Sequence, residues 1–254
     1  VGNVDDQIRH AVTKLAHLHL TTNKESAERI SKLGEQSFRI FDVGNPGLDR
    51  FVQVPNISLE KLSNLIDFQI DDNEPFIIVI QHVISSEIDD AYIQMKESLE
   101  AISEFGVKTV LIYPNSDAGG QKIVSAIEEY ASLPFLHLVK NLPRLEFVNL
   151  MRHASCLLGN SSAGILEAPH LKLPVINVGN RQKGRLHADN IQFVAHNKDH
   201  IISALKLAVY DQDYRYQVSN CINPYGDGHS SKRIAEILSN VKLDDNLIIK
   251  DISY

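Results

Sequence analysis

Between Leu157 and Asn190 the chain reads LLGNSSAGILEAPHLKLPVINVGNRQKGRLHADN, a run dense in residues that could do chemistry at workable spacing. Leu157 and Leu158 end an apolar segment. Gly159-Asn160-Ser161-Ser162 follows as a polar turn, with two hydroxyls at a helix start. A helix start presents N–H groups without partners and a partial positive charge, which suits a phosphate. Gly164 would let a ligand or another backbone come close. Glu167 stands further along the same helix. Pro174–Val178 is the next strand, and Arg181, Lys183 and Arg185 follow its end. Ligands of open α/β sheets sit beyond such strand ends. By residue type alone the stretch also fits an ordinary βαβ unit with a serine cap and a basic surface turn.

Other residues invite the same double reading. Asp5 and Asp6 are paired acids near a helix start. Such pairs serve as caps or dipole partners, or they move protons in a reaction. His82 sits just past the strand Phe76–Ile80, where a ligand-facing side chain belongs; a plain surface histidine fits equally. Asn115 and Asp117 lie in another strand-end loop, to touch a substrate or to make an Asx-turn. Phe147, after the strand Phe135–Val139, reads as a core aromatic or as one flank of a base. His17 and His19 lie two apart with no third ligand in view, so structural roles are expected.

The elements that must position these residues follow from periodicity. Val4, Ile8, Ala11, Val12 and Leu15 recur at helical spacing. Leu15–Leu20 alternates as a short strand, Ser26–Leu33 reads as a small helix closed by Gly34, and Phe38–Val43 as a strand ended by Gly44-Asn-Pro-Gly. Residues 55–74 are polar and read as linker plus a short helix. From Pro75 onward, apolar runs without alternation recur at Phe76–Ile80, Thr109–Tyr113, Phe135–Val139, Ser155–Leu158, Val175–Val178 and Ile191–Val194. Such runs suit parallel strands covered on both faces. Helical segments lie between them: Ile88–Phe105, Gly120–Ala131, Leu145–His153, Ala163–Leu171 and Asp199–Tyr210. Strands alternating with helices predict an α/β fold with a doubly wound parallel sheet. A last helix is expected over Ser230–Val241.

Composition narrows the chemistry. The 254 residues are 43% hydrophobic and 22% charged, as in one large or two small globular domains. The net charge of −7 argues against a nucleic-acid partner. The cations near the proposed site are therefore local, facing an anionic ligand. Two cysteines, Cys156 and Cys221, suggest a reducing, cytoplasmic compartment. No apolar run is long enough to span a membrane, so no membrane partner is expected.

Five ordered motifs then point to one family. GNSSAG with Glu167 and Pro169, followed by PVINVGNRQKGR, resembles GNSSxG…E…P and PVINxGxRQxGR. VDDQIRHAVTKLAHLHL is similar to IDDSIRHAITKLAHxH, Gln81-His82 to a QH motif, Tyr113–Gly119 to FPNxDAG, and Asn223–Gly228 to NPYGDG. These motifs resemble the hydrolysing UDP-N-acetylglucosamine 2-epimerases that open sialic acid synthesis, over nearly the whole chain. The resemblance implies a glycosyltransferase-B-like fold, in which residues 1–54 end an N-terminal Rossmann-like domain and 55–74 link it to a UDP-binding Rossmann-like domain at 75–222. Residues 223–254 would hold a helix packing back toward the first domain. The family's first half-domain, with an Arg, a catalytic Asp and an HxEGGE motif, is expected upstream of Val1, so this chain is expected to be a fragment rather than a short natural protein.

The resemblance also implies roles. Asp5 would be a catalytic acid/base. His82 would hold a β-phosphate oxygen and assist departure of UDP, although Val83 stands where relatives commonly have Pro. Ser161, Ser162 and Arg181 would bind the diphosphate, and Glu167 would accept both ribose hydroxyls. Asn115 would touch substrate and Phe147 would flank uracil. The partner is a UDP-sugar, no cofactor and no metal are implied, and a homodimer or homotetramer is expected. The reaction eliminates UDP across C1–C2 to a glycal, and water adds to give N-acetylmannosamine. Three alternatives stay open: the same chemistry on UDP-N,N'-diacetylbacillosamine, a glycosyltransferase-B-type sugar transferase, and a non-catalytic UDP-sugar-binding fragment.

Overall fold

The computed structural model describes residues 4–115 and 119–253, with the side chains of residues 4–6 outside the description. It divides into two compact units, one of Val1–Gln53 with Pro224–Tyr254 and one of Val54–Asn223. Among the described residues no helix is long and apolar enough to cross a membrane.

The smaller unit begins with α1 (Val4–Leu15), β1 (His19–Thr21), α2 (Lys24–Lys32), β2 (Ile40–Asp42) and α3 (Pro46–Val52). β1 and β2 pair in parallel, with Leu20 opposite Phe41. The strand expected from Leu15 starts only at His19. The Ala16 N–H still bonds the Val12 carbonyl at 2.9 Å, so the helix continues into the alternating segment. α3 occupies residues that read as a turn after a strand. Asn45 accepts from the Gly47 N–H at 2.9 Å with Pro46 at the first helical position, a combination that starts a helix.

The larger unit opens with α4 (Leu59–Ile66), inside the stretch read as linker plus short helix. Ser58 caps it, accepting from Lys61 N at 3.2 Å, and Leu59, Leu62 and Ile66 are buried. Then follow β3 (Phe76–Ile80), α5 (Ala91–Phe105), β4 (Lys108–Ile112), α6 (Gly120–Tyr130), β5 (Leu136–Val139), α7 (Arg144–His153), β6 (Cys156–Gly159), α8 (Ala163–Leu166), β7 (Val175–Val178), β8 (Ile191–Val194), α9 (Lys198–Tyr210) and α10 (Gln212–Ser219). The six strands form one parallel sheet in the order β5-β4-β3-β6-β7-β8. The doubly wound parallel sheet expected from the apolar runs is present.

Both sheet faces are covered. Ile77 and Val79 of β3 join Met95, Leu99, Ile102, Ile123, Ile127, Leu158, Ile176, Ile201 and Leu205 in one core cluster. The alternate set Phe76, Ile78 and Ile80 is buried as well. This is why β3 shows no polar alternation: each such side chain contributes about 1.5–3 kcal/mol by leaving water on either face.

The chain returns to the smaller unit with α11 (Ser230–Asn240) and α12 (Asp245–Ile248). Asp49 of α3 accepts from the N–H groups of Ser230 (2.9 Å) and Ser231 (2.5 Å), fixing the start of α11. The fully buried Arg39 donates to the carbonyls of Asn246, Leu247 and Ile249, tying down the end of α12.

Candidate functional site

The strand order places a topological switch point between β3 and β6, where successive connections leave in opposite directions. In open sheets of this kind the crevice beyond those strand ends takes the ligand. Here the two strand ends come unusually close. Gly159, the last residue of β6, has φ +125°, and a Cβ added there would lie 2.1 Å from the Ile80 carbonyl oxygen. Only glycine admits this approach.

Asn160 follows and is fully buried. Its N–H bonds the Ile80 carbonyl at 3.0 Å. Its side-chain Oδ1 accepts from the His82 N–H at 2.7 Å, and its Nδ2 donates to the His82 carbonyl at 2.9 Å. Its own carbonyl accepts from Arg181 Nη1 at 3.0 Å and from Gln182 Nε2 at 2.9 Å. Gln182 is buried, and its Oε1 accepts from Arg185 Nη1 at 2.8 Å. The Asn115 N–H lies 3.4 Å from His82 Nδ1. The ends of β3, β4, β6 and β7 are thereby linked: His82 and Arg181 of the expected site bond Asn160, and Asn115 joins through His82.

Ser161 and Ser162 follow directly, both half-buried. The helix after them is a single turn, Ala163–Leu166, continued by a 3₁₀ turn over Ala168–Leu171 that contains Pro169. The helix expected over Ala163–Leu171 is thus broken where proline removes a backbone donor. The first N–H groups are already engaged: Ala163 with Ser161 Oγ (3.3 Å), Gly164 with the Ser161 carbonyl (3.2 Å), and Ile165 with the Ser162 carbonyl (3.0 Å). An anion here would meet serine hydroxyls and cations rather than a long helix end. Gly164 also serves packing rather than a ligand, since a Cβ there would meet Val175 Cγ1 at 2.8 Å.

Glu167 ends that turn. Its Oε2 is buried and takes no hydrogen bond from the described residues. Burial pushes the Glu167 carboxyl up to about 7, with its own backbone N–H and the Arg185 charge pulling only weakly the other way. A buried carboxylate with a vacant acceptor suits a pair of hydroxyl donors.

The described hydrogen bonds do not join the remaining expected residues to this network. Phe147 is half-buried in the first turn of α7, not in a loop, and β5 before it lies two strands from β3. Asp5 belongs to α1 in the smaller unit, with its side chain outside the described residues, as is Asp117. His19 is buried and pairs with Glu35 at 3.0 Å, and His17 Nε2 lies 3.2 Å from the Ile248 carbonyl. Among the described residues no cluster of three or more His, Cys, Asp or Glu could hold a metal ion. A cavity of about 520 Å³ in the smaller unit, lined by Phe38, Phe41, Ile237, Val241 and Leu247 among others, contains none of the site residues.

Two residues of the network, Asn160 and Gln182, were not singled out from sequence. The available signal was an amide side chain at a strand end, able to satisfy a facing N–H and C=O together.

The profile of the UDP-N-acetylglucosamine 2-epimerase family matches residues 1–239. The chain is 34% identical over 253 residues to a UDP-N,N'-diacetylbacillosamine 2-epimerase (hydrolyzing) of Legionella pneumophila, covering all of this chain and 65% of that protein. It is 30% identical over 240 residues to a UDP-N-acetylglucosamine 2-epimerase of Neisseria meningitidis, covering 94% of this chain and 62% of the relative. The chain therefore spans less than two thirds of these curated relatives. Among solved structures, UDP-GlcNAc 2-epimerase from Neisseria meningitidis bound to UDP-GlcNAc aligns with TM-score 0.75 at 20% identity, over 90% of this chain and 63% of the other. The UDP-GlcNAc 2-epimerase of Methanocaldococcus jannaschii aligns with TM-score 0.68 at 20% identity, over 90% and 64%. These alignments show a shared glycosyltransferase-B-like α/β fold.

Proposed function

The chain belongs to the UDP-N-acetylglucosamine 2-epimerase family, and from that premise we propose that it acts in the hydrolysing 2-epimerisation of a UDP-linked 2-acetamido sugar, with UDP-N-acetylglucosamine as substrate. What supports this reading most is the convergence at the switch point: His82 and Arg181 are held around Asn160, the Ser161 and Ser162 hydroxyls follow, and Glu167 keeps a buried acceptor.

The reaction has two balanced steps. A carboxylate takes the C2 proton, the C2–H electron pair becomes the C1–C2 double bond, and UDP leaves with the C1–O pair. Water then adds its oxygen to C1 and a proton to C2 on the opposite face, giving the free 2-epimer and UDP. In this reading Asp5 moves one of those protons. His82 in its charged form and Arg181 neutralise the leaving diphosphate, which lowers the barrier to C1–O cleavage. Glu167 anchors the ribose and Asn115 adds a contact beside His82. Phe147 flanks the uracil. A second reading, with UDP-N,N'-diacetylbacillosamine as substrate, is favoured by the hydrolyzing Legionella relative that aligns over all of this chain.

The product decides. The protein in its full natural length is supplied with each UDP-sugar in turn and the mixture is chromatographed. Free 2-epimer with an equivalent of UDP is the expected result, and the faster substrate names the sugar. A UDP-linked 2-epimer would overturn the hydrolysing assignment. Turnover only with an added sugar acceptor would make the protein a transferase.

A further inference from the structure

We infer that Asn160 is the positioning residue for the diphosphate-facing half of the site, acting through His82 and Arg181 rather than by touching ligand. The inference rests on the reading that a UDP-sugar binds at this switch point.

Three observations carry it. The Asn160 side chain is fully buried, and both ends of its amide are satisfied by the backbone of one residue, His82, at 2.7 and 2.9 Å. This fixes the backbone of His82 from a strand other than its own, and so fixes where the imidazole departs. The Asn160 carbonyl meanwhile gathers Arg181 and Gln182 at 3.0 and 2.9 Å, and Gln182 passes the constraint to Arg185 at 2.8 Å. One buried residue therefore joins the groups expected to meet the phosphates from the β3 end and from the β7 end.

No hydrogen bond of this set reaches Glu167. The ribose-facing carboxylate is held separately, by the short turn after Ser162. The two halves of a UDP ligand thus depend on different supports. Losing the Asn160 side-chain amide removes the two hydrogen bonds that hold the His82 backbone and loosens that loop, which misplaces His82, while the Asn160 main-chain carbonyl still accepts from Arg181 and Gln182. It leaves the ribose contact in place.

The test separates a positioning role from a general structural one by ligand. UDP is titrated calorimetrically into wild-type protein and Asn160→Ala, and uridine binding is measured by ligand-observed NMR, which reaches millimolar affinities. The expected result is UDP affinity lower by about 10- to 100-fold in the variant, with uridine affinity changed by less than about twofold. Equal losses for both ligands would mean that Asn160 merely holds the fold together and would overturn the inference, as would unchanged UDP affinity. Wild-type protein that binds no UDP would remove the underlying reading and the inference with it. Should Asn160→Ala fail to fold, Asn160→Asp takes its place: it keeps an acceptor for the His82 N–H and deletes the donor to the His82 carbonyl, and a smaller loss is expected, again for UDP and not for uridine.

Discussion

Uridine should bind about 30-fold more tightly at pH 8.0 than at pH 5.5, and Glu167→Gln should flatten that dependence. The magnitude follows from the structure. Burial raises the Glu167 carboxyl to about 7, and its Oε2 takes no hydrogen bond from the described residues. Ribose hydroxyls donate, so the ionised form is the one that binds. At pH 5.5 about 3% of the group is ionised, and at pH 8.0 about 90%. An ordinary glutamate would be almost fully ionised at both, and the dependence would disappear. Uridine is the right probe because it carries no phosphate that would titrate between these pH values. At pH 8.0 Glu167→Gln should also weaken binding by about 10- to 100-fold, the size of a lost charge-assisted contact.

The same substitution makes a stability prediction with a definite sign. The folded pKa lies above the ordinary glutamate value of 4.5, so the folded protein holds the extra proton between about pH 4.5 and 7. Ionising the buried group therefore costs stability as pH rises through that window. Glu167→Gln should be the more stable protein at pH 8, by at most about 3 kcal/mol, and equal to wild type near pH 4. Thermal unfolding at the two pH values measures this. Flat uridine affinity in the wild type, or a slope that persists in Glu167→Gln, would refute the assignment of ribose to this carboxylate.

Arg181→Ala should cost about 2–4 kcal/mol of UDP binding by calorimetry while leaving uridine almost unaffected, since it removes a fixed charge facing phosphate. Gly159→Ala should lose several kcal/mol of stability in chemical denaturation, or fail to fold, because the added Cβ would fall 2.1 Å from the Ile80 carbonyl oxygen at a φ of +125°. In the smaller unit, burial raises the Glu35 carboxyl, but hydrogen bonds from Lys250, Lys14 and His19 outweigh it and hold the pKa at about 2. Glu35 thus contributes stability above about pH 4.5 that is lost as pH falls toward 2, up to about 3 kcal/mol. Glu35→Gln should be less stable at pH 7 and show a shallower acid transition followed by circular dichroism.

The larger unit was legible wherever burial on two faces leaves a signature. Phe76–Ile80 and Val175–Val178 are unbroken apolar runs with turn residues at their ends, and both are strands at those bounds. Some short helices were not: α3 and α12 have 7 and 4 residues, too few for a period to show, and α10, with 8 residues, buries only Val218. Ala163–Leu171 looked like one helix because its apolar spacing crosses Pro169 without a gap. The serines, His82, Arg181 and Glu167 stood out because hydroxyls, cations and a lone acid after strand ends are visible by type. Asn160 did not, because its role depends on the backbone of a residue 78 positions earlier, which only the folded sheet brings opposite.

Titration of UDP into ¹⁵N-labelled protein, followed by amide chemical shifts, tests the proposed site most directly. Saturable shifts should concentrate at His82, Asn160, Ser161, Ser162, Glu167, Arg181 and Gln182. The amides of β1 and β2, and those around the cavity lined by Phe38, Phe41 and Leu247, should stay still. No shifts at millimolar UDP, or shifts confined to the smaller unit, would contradict a nucleotide site at the switch point between β3 and β6.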